Sequence, residues 1–158
     1  MKIIKQTLRK LFHGSDIAKS LDQIASEDAP MFSLSTLGIT RAKIMSVYDG
    51  DTVTAAVEVF PETFYSFSLR LQGIDAPEMK PPLSATDRDS LVTAAKHARD
   101  FLSDLILGKV CSVQFFGRER WGRELCVIYP PGAESGPTVN DMLIQKGYAR
   151  PYDGGTKG

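Results

Sequence analysis

Three short segments carry the residues whose types and spacing could do chemistry: Asp49-Gly50-Asp51-Thr52, the run from Arg70 through Asp75-Ala76-Pro77-Glu78, and Trp121-Gly122-Arg123-Glu124. Asp-Gly between two β-type runs is what a tight hairpin turn needs, so Asp49 and Gly50 have a structural reading of their own. Asp51 differs, because it opens the second run, where aspartate is disfavoured unless its carboxylate is used. Taken singly, the other two segments read as a salt-bridged loop with Pro77 as turn former and as a glycine hairpin with solvated arginines. Together the three supply the parts of metal-assisted phosphodiester hydrolysis. Asp51 and Asp75 offer hard oxygens to a divalent cation, Glu78 offers a base for water, and Arg70 and Arg123 offer guanidiniums to a phosphate. Neutralising the charge of the diester is where most of the rate gain would arise.

Composition removes competing chemistries. The 158 residues hold two histidines, His13 and His97, and two cysteines, Cys111 and Cys126, too few for a four-ligand zinc site or a disulfide framework. His97 has no second histidine near it, which disfavours a histidine base. No strand-turn-helix elbow for a Ser-His-Asp triad and no G-x-x-x-x-G-K-[ST] loop is present. Lys plus Arg and Asp plus Glu both number 19, so the chain lacks the overall positive charge of a protein that coats nucleic acid. Any anion binding must be local. Cys111 and Cys126 lie in two apolar runs that read as neighbouring strands, as free buried thiols or, alternatively, as a cross-strand disulfide.

The elements that must position these residues follow from hydrophobic period. Residues 39–48, 52–60 and 64–72 predict three consecutive antiparallel strands. In the third, Tyr65, Phe67, Leu69 and Leu71 form an apolar set, with Ser66, Ser68 and Arg70 on the opposite face. From residue 88 to 107 the period changes: Leu91, Ala94, Ala95, Ala98, Phe101, Leu102, Leu105 and Ile106 predict a helix that Gly108 stops. Residues 109–116 and 124–129 return to strand, and 139–146 predict a short helix ended by Gly147. Three strands, a helix and two more strands is the order of a five-stranded OB barrel with its helix between strands 3 and 4, an α+β, mainly β architecture. The domain is expected over residues 37–158, after a basic, helical extension over residues 1–36. In that extension Ile3, Ile4, Leu8, Leu11 and Phe12 oppose Lys2, Lys5, Arg9 and Lys10, and a weaker helical pattern continues through Ala18, Leu21 and Ile24. The cations interrupt any apolar stretch of a secretory signal, and no run is long enough to span a membrane. An intracellular protein is favoured, with organelle targeting or membrane-surface association left open by the amphipathic N-terminus.

VYDGDTV, LRLQGIDAPE, the helix, WGRELCVIY and VNDMLIQKGYAR, in that order and spacing, resemble the staphylococcal nuclease-like (thermonuclease) family from about residue 39 to residue 150. The resemblance implies an OB-fold endonuclease that is calcium-dependent and indifferent to sugar. It would act on DNA and RNA, preferably single-stranded, leave 3′-phosphate ends and work as a monomer. It makes Asp51, Asp75 and the main-chain carbonyl of Ala76 the calcium ligands, Glu78 the general base, and Arg70 and Arg123 the phosphate-binding arginines. Asp49 matches an acid beside the ligands rather than a direct ligand. Ala76 stands where the family commonly has threonine, a change a main-chain ligand tolerates.

Trp121 stands where the family usually has tyrosine and could stack on a base or sugar, or simply cover the hairpin. Tyr148 and Tyr152 invite the same substrate-binding reading. The family prototype ends in a third helix that this chain lacks, and the segment before Leu37 is expected to pack in its place. The alternative to an enzyme is a catalytically weak or inactive nuclease-like domain that binds single-stranded nucleic acid or protein, against which the retention of Arg70, Glu78 and Arg123 speaks.

Overall fold

Alternation along residues 52–60 sets the inside of a barrel. In β2 (Thr52–Phe60), Val53, Ala55, Val57 and Val59 are buried while Thr54, Ala56, Glu58 and Phe60 are partly exposed, the period of two that a half-buried strand requires. β2 pairs antiparallel with β1 (Ile39–Val47) on one side and β3 (Thr63–Leu71) on the other. The computed structural model describes residues 20–29 and 31–154. The chain divides into two compact units, Met1–Phe32 and Ser33–Gly158.

Within the second unit, β5 (Val110–Arg118) pairs antiparallel with β1 and with β6 (Glu124–Ile128). A short parallel pairing, Leu69 to Glu124 through Leu71 to Cys126, joins β3 to β6 and closes the barrel in the order β1-β2-β3-β6-β5. This is the expected mainly β, OB-type architecture. The first half of β3 pairs with β2 alone, so its faces are not enclosed. Tyr65, expected inside, is 56% exposed, and the inward apolar set narrows to Leu69 and Leu71, with Phe67 half-buried.

The helix α1 (Arg88–Ile106) lies between the third and fourth barrel strands and buries Ala95, Ala98, Leu102 and Ile106, spaced three and four apart as one helical face. Its end is tied to β1, with the Gly108 N–H donating to the Ile44 carbonyl at 2.9 Å and the Ile44 N–H to the Lys109 carbonyl at 3.0 Å. Gly108 takes φ 74°, the left-handed conformation that ends helices. The short helix α2 (Val139–Gln145) starts on Thr138, whose hydroxyl accepts from the Asp141 N–H at 3.1 Å while Asp141 accepts from the Thr138 N–H at 2.8 Å. That second bond lowers the Asp141 pKa. Asn140, buried in α2, accepts from the Ile128 N–H and donates to the Gln72 and Cys126 carbonyls, fastening the helix over the β3–β6 junction.

Two short elements escape the sequence pattern: β4 (Ile74–Asp75) and β7 (Arg150–Pro151) pair antiparallel as a separate ribbon. Cys111 and Cys126 are free and buried on the adjacent strands β5 and β6. Cys126 pairs with Phe115, while Cys111 lies further along β5 opposite Ala42 of β1. That offset, roughly 13 Å at the rise of a strand, exceeds the separation a disulfide spans.

The core reaches back to Leu34, in a 3-10 turn at Leu34–Leu37. In the first unit, where a weak helical pattern ran through Leu21 and Ile24, the described residues form two single 3-10 turns, Leu21–Gln23 and Ser26–Asp28, separated by extended backbone at Ile24 and Ala25. Leu21 is 92% exposed, and a helix this short does not persist without burying an apolar face. The basic amphipathic segment over residues 1–12, on which the expected packing of the extension chiefly rests, lies outside the described residues. Among the described residues no helix is long and apolar enough to cross a membrane.

Candidate active site

The β1–β2 turn is closed by the Tyr48 N–H donating to the Thr52 carbonyl at 2.9 Å, and within it the Asp51 N–H donates to Asp49 Oδ1 at 3.2 Å. Asp51, only 2% exposed, is held from three sides. Its carbonyl accepts from the Leu71 N–H at 2.8 Å, its Oδ1 from the Thr52 hydroxyl at 3.0 Å, and its Oδ2 from the Ala76 N–H at 2.9 Å. The aspartate that opens β2 therefore connects the hairpin turn, the end of β3 and the segment after β4. Gly50 permits this closeness. A β-carbon there would meet those of Ala76 and Ala98 at 2.7 Å each.

Arg70 projects from β3 beside Thr52, its partner in the sheet register. Its guanidinium bridges the two aspartates, with NH1 on Asp51 Oδ1 and NH2 3.4 Å from Asp75 Oδ1. Arg123 enters from the β5–β6 turn; its NH1 donates to the Thr52 hydroxyl at 3.1 Å and its NH2 to Glu119 Oε2 at 3.0 Å. Thr52 thus joins a carboxylate to a guanidinium through one oxygen. Asp49, Asp51, Arg70, Glu78 and Arg123 all line one cleft of about 360 Å³.

Trp121 and Tyr152 line the same cleft. Trp121, 77% exposed, stands at the tip of the β5–β6 turn with the Arg120 guanidinium 5.2 Å above its ring. Asp75 and Ala76 are buried and reach the cleft group through Arg70 and Asp51 respectively. Tyr148 is placed elsewhere: its ring packs on Phe101 of α1 with centroids 4.9 Å apart, and it lines a separate cleft. His97 is exposed on α1.

Two residues to which the sequence reading assigns no site role complete the group. Glu119 holds Arg123, and Arg150 donates to Asp75 Oδ2 through Nε at 3.3 Å and NH2 at 3.0 Å. Glu119 could have been found from its i, i+4 spacing to Arg123. Arg150 had no local signal.

Charge in the cleft is balanced by its own side chains. Burial opposes the Arg70 charge, but Asp51, Asp75 and Glu119 more than compensate and hold the guanidinium pKa above its ordinary value. At Asp49 the hydrogen bonds from the Asp51 N–H and Thr52 compensate only in part. Burial, then the neighbouring Asp51 charge, push it up to about 6. Among the described residues no three His, Cys, Asp or Glu side chains converge on a single point.

A closed five-stranded barrel with its helix between the third and fourth strands defines an OB-type domain, and it carries buried carboxylates and two guanidiniums around one cleft. Residues 68–157, more than half of the chain, match the family described as staphylococcal nuclease homologue, and the chain belongs to that family. It is 31% identical over 113 residues to a protein of Escherichia coli O157:H7 named as an uncharacterized endonuclease, and equally to its Escherichia coli counterpart. That stretch is 72% of this chain and 61% of each relative, so the chain spans less than two thirds of their length. An uncharacterized 38.1 kDa protein of Capnoides sempervirens is 29% identical over 86 residues, 54% of this chain and 21% of its own.

Proposed function

We propose that this domain hydrolyses phosphodiester bonds of DNA and RNA as a calcium-dependent, sugar-nonspecific endonuclease with a preference for single strands, leaving 3′-phosphate ends. One observation carries the reading: in a member of the staphylococcal nuclease homologue family, Arg70, Glu78 and Arg123 line a single cleft with Asp51.

The donor set fits a hard divalent cation. Asp51, Asp75 and the Ala76 carbonyl would hold it, with Asp49 beside them, all oxygen donors. Two features support the fit. Arg70 bridges Asp51 and Asp75 as an internal cation, and burial, followed by the Asp51 charge beside it, pushes Asp49 up to about 6, as expected where carboxylates crowd without a cation. When bound, a divalent cation supplies neutralisation of the diester charge. The rest falls to the chain's own groups. Glu78 takes a proton from the water that attacks phosphorus, the bond to the 5′ oxygen breaks, and that oxygen leaves as a hydroxyl with a proton from solvent. Arg70 and Arg123 hold the non-bridging oxygens, where charge grows in the transition state. Glu119 and Thr52 fix Arg123 in that orientation. Trp121 and Tyr152 offer ring faces to unpaired bases, the sequence-tolerant contact that favours single strands.

The test is incubation of the full chain with single-stranded DNA and RNA, in calcium or in chelator, alongside Glu78→Gln and Arg123→Ala. Cleavage is expected in calcium only, with both variants slower by about two orders of magnitude or more. Cleavage that survives chelation, or is unchanged in both variants, overturns the mechanism. Binding without cleavage would instead place the domain among binding modules.

A further inference from the structure

Asp75 has its two carboxylate oxygens divided between two arginines. Oδ1 faces Arg70, which also meets Asp51, whereas Oδ2 receives both Nε and NH2 of Arg150. Nothing local in sequence brings Arg150 there. Asp75 and Arg150 are partners across the β4–β7 ribbon, which the Tyr152 N–H extends by donating to the Gly73 carbonyl at 2.9 Å. With Oδ2 engaged on one side, Oδ1 stays turned towards Arg70 and Asp51.

We infer that Arg150 is a positioning residue that orients Asp75 for the cation, an inference that rests on the reading of Asp51 and Asp75 as cation ligands. Arg150 lines a cleft with Asp75 and Ala76, apart from the one that Arg70, Glu78 and Arg123 line, and meets that group through Asp75. The pair joins a guanidinium that is 60% exposed to a carboxylate that is only 8% exposed, so it is half open to water, and unfolding in chelator separates bracing of the fold from orientation of Asp75. The exposure of Arg150 screens the repulsion between its charge and an incoming cation. Hydrogen bonds to the outer oxygen of a ligating carboxylate fix which oxygen faces the metal, and losing such a partner weakens metal affinity by about ten- to a hundredfold.

Calcium titration of the full chain by calorimetry, paired with thermal unfolding in chelator, tests this on the unaltered protein, Arg150→Gln, Arg150→Lys and Asp75→Asn. Arg150→Gln is expected to raise the calcium Kd about tenfold or more, and Arg150→Lys to recover part of that loss, while both unfold in chelator close to the unaltered chain. An Arg150→Gln Kd equal to or tighter than that of the unaltered chain, beside lost binding in Asp75→Asn, overturns this inference alone. So does a weakened Kd that accompanies a collapse of folding in chelator, which would make the role structural. No calcium uptake by the unaltered chain overturns the cation reading and this inference with it.

Discussion

Gly50 lies between Asp49 and Asp51 at the point where the β1–β2 turn meets α1. A methyl group added there would stand 2.7 Å from the β-carbons of both Ala76 and Ala98. Carbon pairs settle at about 3.5–4.0 Å, so each contact is short by roughly 1 Å. Neither neighbour can rotate away, because an alanine β-carbon moves only with its backbone. Relief therefore requires shifting α1 or the segment after β4. Overpacking of this kind costs about 1–3 kcal/mol, and two fixed walls put Gly50→Ala near the upper end. The backbone at Gly50 is not left-handed, so alanine adopts it without strain and gains about 0.4–1 kcal/mol from the stiffer unfolded chain.

The net expectation is a loss of about 2 kcal/mol, read as a fall of about 1 M in the urea midpoint for an m-value near 2 kcal/mol/M. Ala98→Gly removes one wall, so the double variant Gly50→Ala, Ala98→Gly should cost less than the sum of the two single changes. A Gly50→Ala midpoint equal to or above that of the unaltered chain would refute the packing reasoning. Strict additivity in the double variant would do the same.

Three further outcomes follow from other parts of the molecule. Asn140→Ala removes a side chain that satisfies the Ile128 N–H and the Gln72 and Cys126 carbonyls, and should cost about 3 kcal/mol in urea unfolding, with a loss below about 1 kcal/mol counting against that role. Burial pushes the Cys111 thiol up to about 11 and the Cys126 thiol higher still. Both should therefore resist a thiol reagent at pH 8 in the folded chain and react on denaturation, and rapid labelling of the native chain would contradict this. Asp49 has a folded pKa of about 6 against an ordinary 3.8, so its contribution is fully present below pH 3.8 and is lost as pH rises through 6. In chelator the unaltered chain should lose stability relative to Asp49→Asn across that window, on the order of 2–3 kcal/mol; parallel pH profiles would sink the assignment.

Local pattern was enough for most of the fold. The strands expected at residues 39–48, 52–60 and 64–72 and the helix at 88–107 correspond to β1, β2, β3 and α1 within a residue or two, because period and turn residues act over a few positions. Tyr65 was misplaced because enclosure depends on which strand covers it, and β6 reaches only Leu69 to Leu71. Tyr148 shows the same dependence: its sequence reading groups it with Tyr152 as a substrate-binding residue, yet its ring packs on Phe101.

The sequence by itself determined which residue types meet the demands of the chemistry: acids opening β2 and following β3, a glutamate after a proline, and arginines on two strand ends. Only the tertiary structure decided how their charges are satisfied. Arg70 bridges Asp51 and Asp75, Glu119 and Thr52 hold Arg123, and a two-residue ribbon carries Arg150 to Asp75. The physical reason is range. Periodicity and turn preference are properties of neighbouring residues, whereas an ion pair acts over a few ångströms of space and is blind to the chain length between its partners.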